Sequence, residues 1–390
     1  MSTLSRKAAI AGIGATDFSK DSGRSELRLA AEAVADALDD AGLTPADVDG
    51  LVSFTMDTNT EVAVARAVGI PSLKFFSRIH YGGGAAAATV QQAAMAVATG
   101  VADVVVAYRA FNERSGARFG QVNSALATQV NSSGTDNAFS YPHGLSTPAS
   151  FVAMTAQRYM HVTGATSADF GAVAVADRKH AAKNPKAFFH GKPITLEDHQ
   201  NSRWIAEPLH LLDCCQESDG GVALVITTPE RAKDLKQTPA IITAAAQGSG
   251  PDQYIMTSYY RDGLTGLPEM GIVGDQLWGQ SGLTPQDVQT AVLYDHFTPY
   301  VLMQLEELGF CKPGEAKDFI ADGGIELGGH LPLNTHGGQL GEAYIHGMNG
   351  IAEGVRQIRG TSVNQVEAVE NVLVTAGTGV PTSGLMLARS

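Results

Sequence analysis

The chain has 390 residues, of which 44% are hydrophobic and 17% charged, so it is long enough for two or three domain-sized units around a large core. Its net charge of −13 argues against nucleic acid or an anionic membrane surface as the main partner. The 3 cysteines are too few for a disulfide framework, and no window is apolar over the roughly 18 residues of a membrane span, so we expect a reduced, cytoplasmic protein.

Buried strands alternate with helices along the chain, which is the pattern of an α/β fold. The first apolar stretch, residues 8–14, is short, contains glycine and is followed by Asp17, so it predicts a buried strand and not a signal peptide. The stretch 112–148 is the least periodic and predicts a loop region over the site. The other predicted elements are two small-residue helices and three buried strands: 25–40, 85–99, 104–107, 221–226 and 372–375.

A phrase of seven residues occurs twice in the chain. Residues 42–48 and 282–288 are identical at six of their seven positions, and each copy is followed by an apolar strand. In each copy a threonine caps a short helix that has proline in its first turn. Either a common phrase recurs by chance, or the chain has two related halves. The second interpretation predicts halves 1–235 and 236–390, with a loop insertion at about 110–210 in the first.

The middle of the chain carries a specific family resemblance. Residues 158–161, 172–185 and 208–220 are similar to segments of the sterol-carrier or lipid-transfer branch of the thiolase superfamily. Together with the two related halves, the resemblance extends over essentially the whole chain. It implies an α/β thiolase fold, with two similar βαβαβ-type halves in a layered αβαβα arrangement and a loop-domain insertion in the first half.

The catalytic set of a thiolase is replaced in this sequence. An active thiolase of the lipid-transfer branch uses a nucleophilic cysteine, one or two histidines and a second cysteine. Tyr81 stands at the place of the nucleophile, and no cysteine precedes Cys214. In the His-Asp-Cys-Phe motif, Tyr294 replaces the histidine and His296 the cysteine, and Tyr344 falls on the other histidine position. Because attack on a thioester depends on the low pKa and soft sulfur of cysteine, we expect no thiolysis.

Two tyrosines at converging active-site positions are predicted to be catalytic, although each alone would more often be a core residue with a satisfied hydroxyl. Burial raises the pKa of a phenol and nearby positive charge lowers it, and the sequence leaves open which dominates at Tyr294 and Tyr344. His296 is either such a neighbour or an ordinary loop residue. Tyr81 either takes part or fills the space of the missing cysteine. Together with Gly377 of the last glycine-rich loop, these two residues are assigned to support the tyrosines or to bind an oxyanion.

Other reactive side chains are interpreted as structural. His330, His336 and His346 are close in sequence, but their spacing in a glycine-rich loop is a poor metal signature. Cys214 and Cys215 precede a buried strand and are interpreted as inert packing residues. We therefore expect no metal and no cofactor bound in this chain, with CoA as part of the substrate.

The resemblance implies a retro-aldol reaction. Backbone N–H groups in glycine-rich loops can hold a thioester enolate, and two proton-transfer groups then suffice without a covalent intermediate. The lipid-transfer subgroup includes bacterial side-chain-cleaving aldolases with tyrosines at both former histidine positions. They convert a 17-hydroxy steroid with a three-carbon acyl-CoA side chain into the 17-ketosteroid and propionyl-CoA. Such chains dimerise and work with a small OB-fold, zinc-ribbon protein, which implies a homodimer within a heterotetramer.

Two alternatives place no catalysis at this site. A non-catalytic lipid or acyl-CoA carrier explains the missing cysteine but gives no reason for tyrosine at both positions. A scaffold subunit of a larger acyl-CoA complex is the other alternative, and it predicts that Tyr294→Phe and Tyr344→Phe leave the activity of the complex unchanged. The sequence does not say which tyrosine is the base and which is the acid.

Overall fold

The computed structural model describes residues 4–80, 82–116, 118, 138–253, 256, 261, 263–377 and 382–390. The strands are β1 (Ala8–Ala15), β2 (Gly50–Phe54), β3 (Phe75–Ile79), β4 (Val104–Asn112), β5 (Trp204–Ala206), β6 (Leu209–His210), β7 (Asp219–Thr227), β8 (Ala240–Gly248), β9 (Thr290–Val292), β10 (Asn371–Ala376) and β11 (Thr382–Ala388). The α-helices are α1 (Glu26–Ala41), α2 (Glu61–Val68), α3 (Ala86–Ala98), α4 (Pro148–Thr163), α5 (Ser167–Lys183), α6 (Leu196–Asn201), α7 (Pro229–Ala232), α8 (Pro268–Ser281), α9 (Thr298–Glu307), α10 (Ala316–Phe319), α11 (Gly338–Gly341) and α12 (Met348–Arg359).

The repeated phrase forms the same structure in both places. The backbone N–H groups of Thr44 and Thr284 donate to the aspartate three residues later, at 2.9 and 2.8 Å, and each capping box opens a one-turn 3₁₀ helix. Gly42 and Gly282 end the preceding helices α1 and α8 at φ of 72° and 74°, a left-handed conformation that glycine adopts without strain. The two copies are therefore equivalent in structure as well as in sequence.

The main sheet has the strand order β3-β2-β4-β7-β1-β8-β11-β10-β9. Its two middle strands, β1 and β8, pair antiparallel and join the halves of the sheet. Outward from them, each half repeats the same arrangement: an antiparallel pair, β7 with β4 or β11 with β10, and then a strand parallel to the last one, β2 or β9. This order supports the predicted division into 1–235 and 236–390, which stays a prediction.

Residues of each strand alternate between two helical layers. Val52 and Val372 face inward and share one apolar cluster with the central helices α3 and α12. Their neighbours face outward, Leu51 against α1 and α2 and Leu373 against α8 and α9. The order helix, sheet, helix, sheet, helix confirms the predicted αβαβα thiolase fold. Helix α3 lies between the two halves of the sheet, and its buried alanines keep it thin enough to fit there.

The segment between β4 and β7 covers one end of these layers. Its described part contains α4, α5, α6 and the hairpin of β5 and β6, and it corresponds to the insertion predicted at about 110–210. Much of the aperiodic stretch 112–148 lies outside the described residues. Within the described ranges, no helix combines the length and apolar character needed to cross a bilayer.

Candidate active site

A cavity of about 620 Å³ lies where the insertion meets the sheet. Its wall is built from the loops that follow the carboxyl ends of β3, β4, β9 and β10, together with residues of the insertion. Strand β3 is parallel to β4 through β2, and β9 is parallel to β10, so each of these two sets brings its carboxyl ends to one edge of its half of the sheet. Loops from both sets contribute to the cavity, so residues far apart in sequence meet here. Among the described residues that line the cavity are Gly82, Gly83, Gly84, Glu113, Cys215, Tyr294, His296, Tyr344, His346 and Gly377.

The two predicted catalytic tyrosines lie side by side in this cavity. The hydroxyl of Tyr294 donates a hydrogen bond to the hydroxyl of Tyr344 over 3.0 Å, and the two rings meet edge to face at 6.3 Å. Burial raises the pKa of both phenols well above the ordinary tyrosine value, so both are neutral at neutral pH. Burial, one of the two effects that the sequence left open, is the main cause at both residues.

The backbone of each tyrosine is fixed by buried polar groups. The N–H of Tyr294 donates to the hydroxyl of Thr375 at 2.9 Å, and its carbonyl accepts from the side-chain amide of Gln304 at 2.9 Å. The Thr375 hydroxyl donates to the Gln304 carbonyl at 2.6 Å and closes this ring of contacts. The N–H of Tyr344 donates to the hydroxyl of Ser218 at 3.1 Å. These contacts fix the backbone positions from which the two phenols reach each other.

Close-packed glycines form the floor beneath the tyrosines. Gly377 has φ of 66° and packs on the backbone of Gly84, so a Cβ atom there would overlap that backbone. A Cβ atom on Gly83 would overlap the hydroxyl of Tyr294. Only glycine therefore allows the loop before α3 to approach both the phenol and Gly377 this closely. The structure brings Gly377 to the cavity, and its assignment to oxyanion binding stays a prediction.

His296 is a neighbour of the tyrosine pair. Its ring centroid lies 4.7 Å from the ring of Tyr294, and burial lowers its pKa to about 3. It is neutral at neutral pH and supplies no positive charge that would lower the pKa of a phenol. Its supporting role stays a prediction. Tyr81 lies outside the described residues.

Four buried residues near the cavity are absent from the site predicted from the sequence: His346, Arg109, Asp57 and Glu113. The ring of His346 lies 4.7 Å from that of Tyr344, and its Nδ1 accepts from the Nε and Nη2 atoms of Arg109 at 3.3 Å each. Arg109 is completely buried in β4 and forms an ion pair with Asp57. Glu113 follows the same strand and lines the cavity. The sequence did contain one signal for this group, namely Arg109 inside an otherwise apolar strand. A buried arginine needs a buried partner of opposite charge.

The chain matches two domains of one family over most of its length. Residues 8–230 match the thiolase N-terminal domain, and residues 255–387 match the thiolase C-terminal domain-like model. The chain belongs to the thiolase family. This finding confirms the resemblance read from the sequence.

Three relatives within the thiolase superfamily are particularly similar. The chain is 79% identical over 384 residues to 17-hydroxy-3-oxo-4-pregnene-20-carboxyl-CoA lyase of Mycobacterium tuberculosis, with 98% of this chain and 100% of that protein covered. It is 70% identical to the steroid side-chain-cleaving aldolase of Thermomonospora curvata, covering 99% of each. The solved structure of the Ltp2-ChsH2(DUF35) aldolase superposes with a TM-score of 0.96 at 69% identity, covering 100% of this chain and 99% of that one.

The thiols of this thiolase-family site are poor nucleophiles. Cys214 and Cys215 both line the cavity, and burial raises the pKa of each thiol, so thiolate is scarce at neutral pH. Among the residues that the structure describes, no group of three or more His, Cys, Asp or Glu side chains is placed to hold a metal ion. The polar chemistry of the cavity therefore falls to its phenols, imidazoles and carboxyls.

A pair of buried carboxyls connects the insertion to the segment that carries Tyr344. Asp295, next to Tyr294, accepts the backbone N–H groups of Gln339 at 2.9 Å and Leu340 at 3.0 Å. Asp177 of α5 is hydrogen-bonded to Asp295, and burial together with that neighbouring carboxyl raises the pKa of Asp177 well above its ordinary value. Burial also raises the pKa of Asp295, whereas hydrogen bonds from the two backbone N–H groups and from Asp177 lower it, so we assign the proton of the pair to Asp177.

We expect Asp177→Asn to increase the free energy of unfolding at pH 7. The folded chain holds a proton on Asp177 that the unfolded chain has lost above about pH 4, so this group makes folding less favourable by roughly 1.4 kcal/mol per pH unit up to its raised pKa. An asparagine donates the same hydrogen bond without taking up a proton. Urea unfolding of both proteins from about pH 4 to about pH 8 measures the difference.

Asp287→Asn is the matched control for that experiment. Asp287 is an exposed carboxylate whose pKa is lowered by hydrogen bonds from Thr284. The stability that it contributes is present above its ordinary pKa and is lost as the pH falls, so its removal gives the opposite trend. An Asp177→Asn protein with the same pH dependence of stability as the unsubstituted chain would contradict the shared proton.

Proposed function

We propose that the chain catalyses the retro-aldol cleavage of a β-hydroxyacyl-CoA, namely a 17-hydroxy steroid with a three-carbon acyl-CoA side chain. The products are the 17-ketosteroid and propionyl-CoA. The observation that carries this proposal is the hydrogen-bonded pair of neutral phenols, Tyr294 and Tyr344, in a cavity of the thiolase fold. The names of the two relatives at 79% and 70% identity, a lyase and an aldolase, support the same reaction.

The proton balance of the reaction fits such a pair. The β-hydroxyl loses a proton as the Cα–Cβ bond breaks, and the Cα atom of the enolate gains one, so no net proton enters or leaves. One phenol oxygen accepts the hydroxyl proton while the pair passes a phenolic proton to Cα. Because the two transfers are coupled through the Tyr294–Tyr344 hydrogen bond, neither residue has to be a phenolate in the resting enzyme. This is consistent with the raised pKa of both phenols.

The enolate intermediate needs hydrogen-bond donors at the thioester oxygen. The loop 82–84 and Gly377 line the cavity next to the tyrosines, and their backbone N–H groups are the proposed donors. The reaction needs no covalent intermediate, and the raised pKa of the cavity thiols is consistent with that. Thus the thiolase framework supplies enolate stabilisation, while the phenols replace the sulfur and imidazole groups.

The cavity also suits an acyl-CoA ester. Although the chain has a net charge of −13, five basic side chains line the cavity, of which Arg118 is already paired with Glu217. Phosphate groups of CoA are suitable counterions for the other four. One of them, Arg178, stacks on Phe189, with its guanidinium carbon 3.5 Å from the ring centroid. The basic residues are Lys20, Arg114, Arg118, Arg178 and Arg203.

The proposal includes a protein partner. The name of the similar solved aldolase includes a DUF35 protein, and we assign a DUF35 partner to this chain as well. At a finer level, we propose that the partner is a small OB-fold, zinc-ribbon protein and that two copies of each chain form a heterotetramer. CoA belongs to the substrate, no cofactor is proposed for this chain, and the cytoplasmic location stays a prediction.

The test is propionyl-CoA release from the 17-hydroxy steroid acyl-CoA by the chain purified with its DUF35 partner. We expect equal amounts of propionyl-CoA and 17-ketosteroid, both absent when the chain is omitted. A folded complex that binds the substrate without cleaving it would contradict the proposal and favour the non-catalytic carrier. Release that does not depend on the tyrosines would favour the scaffold subunit.

A further inference from the structure

Glu113 is a buried acid at the cavity wall that the mechanism above does not use. Only 1% of the residue is exposed, and its Oε2 atom has no hydrogen-bond partner among the described residues. This oxygen lies 3.8 Å from Nδ1 of His346, which is too long for a hydrogen bond. Leaving a buried polar atom unpaired costs about 1–3 kcal/mol, so its persistence at a ligand cavity points to a partner that the ligand provides.

The surroundings of Glu113 favour its neutral form. Arg109 faces it from β4, and its charge acts to lower the pKa of Glu113, but this guanidinium already forms an ion pair with Asp57 and donates to His346. Since Nδ1 of His346 accepts from Arg109, it has no proton to offer to Glu113. Burial is the main cause that raises the pKa of Glu113 well above its ordinary value.

The other groups around Glu113 act in the same direction or are uncharged. The carboxyls of Glu217 and Asp219 face it from the start of β7 and the preceding turn, and their charges further disfavour its ionised form. Three further titratable neighbours line the cavity and are neutral at neutral pH because burial raises the pKa of each: Cys215, Tyr294 and Tyr344. Arg118, which also lines the cavity, is paired with Glu217. Glu113 therefore holds a carboxylic proton beside the phenol pair.

We propose that Glu113 is a further catalytic residue. Its carboxylic acid donates a hydrogen bond to the thioester oxygen of the substrate, which becomes negatively charged when the enolate forms. This inference rests on the proposed function. Glu113 keeps its proton throughout, so the transfers through the tyrosines remain balanced. A carboxylic acid kept neutral by an apolar site is a strong donor toward an oxyanion, because its hydrogen bond strengthens as charge develops.

The activity test compares three variants of the complex with its partner. Glu113→Ala is expected to lower kcat by about 10²–10³-fold with a small change in KM, because the donor acts on developing charge. Glu113→Gln keeps a donor and is expected to stay within about tenfold of the unsubstituted enzyme. Glu307→Gln is the matched control, since burial also raises the pKa of this carboxyl, which lies outside the cavity and accepts from the N–H of Leu267.

The pH profile separates a donor from a structural group. Loss of the Glu113 proton removes the donor, so kcat falls as the pH rises through its pKa, and Glu113→Gln lacks this decline. A Glu113→Ala enzyme with unchanged kcat and pH profile would overturn the proposal. So would a Glu113→Gln enzyme as inactive as Glu113→Ala, because that result requires an ionised carboxylate acting as a base.

An infrared measurement tests the proton independently of turnover. Difference spectra between the resting complex and its Glu113→Gln variant are expected to contain the carbonyl band of one protonated carboxylic acid at neutral pH. Propionyl-CoA, added as the probe, is expected to shift that band to lower frequency as the acid donates to the thioester oxygen. Absence of the band, or of any shift with bound propionyl-CoA, would overturn the role of Glu113 even if the complex cleaved no steroid. Failure of cleavage with the band and shift present would instead count against the steroid substrate.

Discussion

Replacing either phenol, by Tyr294→Phe or Tyr344→Phe, is expected to lower kcat for propionyl-CoA release by about 10²–10⁴-fold. Each substitution removes one hydroxyl from the hydrogen-bonded pair and keeps the ring that packs in the cavity. The proton then has no route from the β-hydroxyl to Cα, whereas the glycine-rich floor that binds the thioester is untouched. Single-turnover release from the complex measures the rate, and KM is expected to change much less than kcat.

The double variant gives a sharper result than either single one. Because the two phenols act as one relay, Tyr294→Phe/Tyr344→Phe is expected to lie within about tenfold of the slower single variant. Tyr159→Phe is the matched control: this buried tyrosine donates to Glu306 at 2.5 Å, away from the cavity, and its removal is expected to reduce stability and not turnover. Folded single variants with full activity would contradict the relay and favour a scaffold subunit.

The part of the site that could be predicted from the sequence consists of residues at known positions of a family motif. Tyr294 and Tyr344 could be aligned by counting from glycines and from the repeated strand, and the structure places their hydroxyls 3.0 Å apart. The direction of their pKa shifts was not predictable, because burial is a property of the folded cavity. Glu113 and His346 were missed for the same reason. They belong to one network with Arg109 only after strands and loops distant in sequence have met.

The fold shows a similar division between local and tertiary information. The helix ends at Gly42 and Gly282 and the capping threonines after them are local signals, and they located equivalent points in the two halves. The antiparallel pairing of β1 with β8 joins the halves into one sheet and has no such signal. Strands β1 and β8 are apolar along most of their length, as are their neighbours, so sequence pattern alone gives them no particular partner.

A single methyl group beneath the phenol pair is expected to be as damaging as loss of a hydroxyl. In Gly83→Ala, the new Cβ atom would overlap the hydroxyl of Tyr294 and lie within 2.4–3.1 Å of other ring atoms. The position of the ring is restrained, because the Tyr294 backbone is held by Thr375 and Gln304. Either the phenol leaves its partner or the loop before α3 shifts.

Both adjustments disrupt the proposed reaction. The first breaks the hydrogen bond between the tyrosines, and the second displaces the backbone that packs on Gly377. We therefore expect Gly83→Ala to lower kcat by about 10²–10⁴-fold and to cost about 1–3 kcal/mol of stability through overpacking. Gly279→Ala is the matched control, because a Cβ atom there meets nothing within 4 Å in α8, and its helix propensity is expected to add up to about 1 kcal/mol of stability without altering turnover. A Gly83→Ala enzyme that kept full activity would show that Tyr294 does not need the position it has in this cavity.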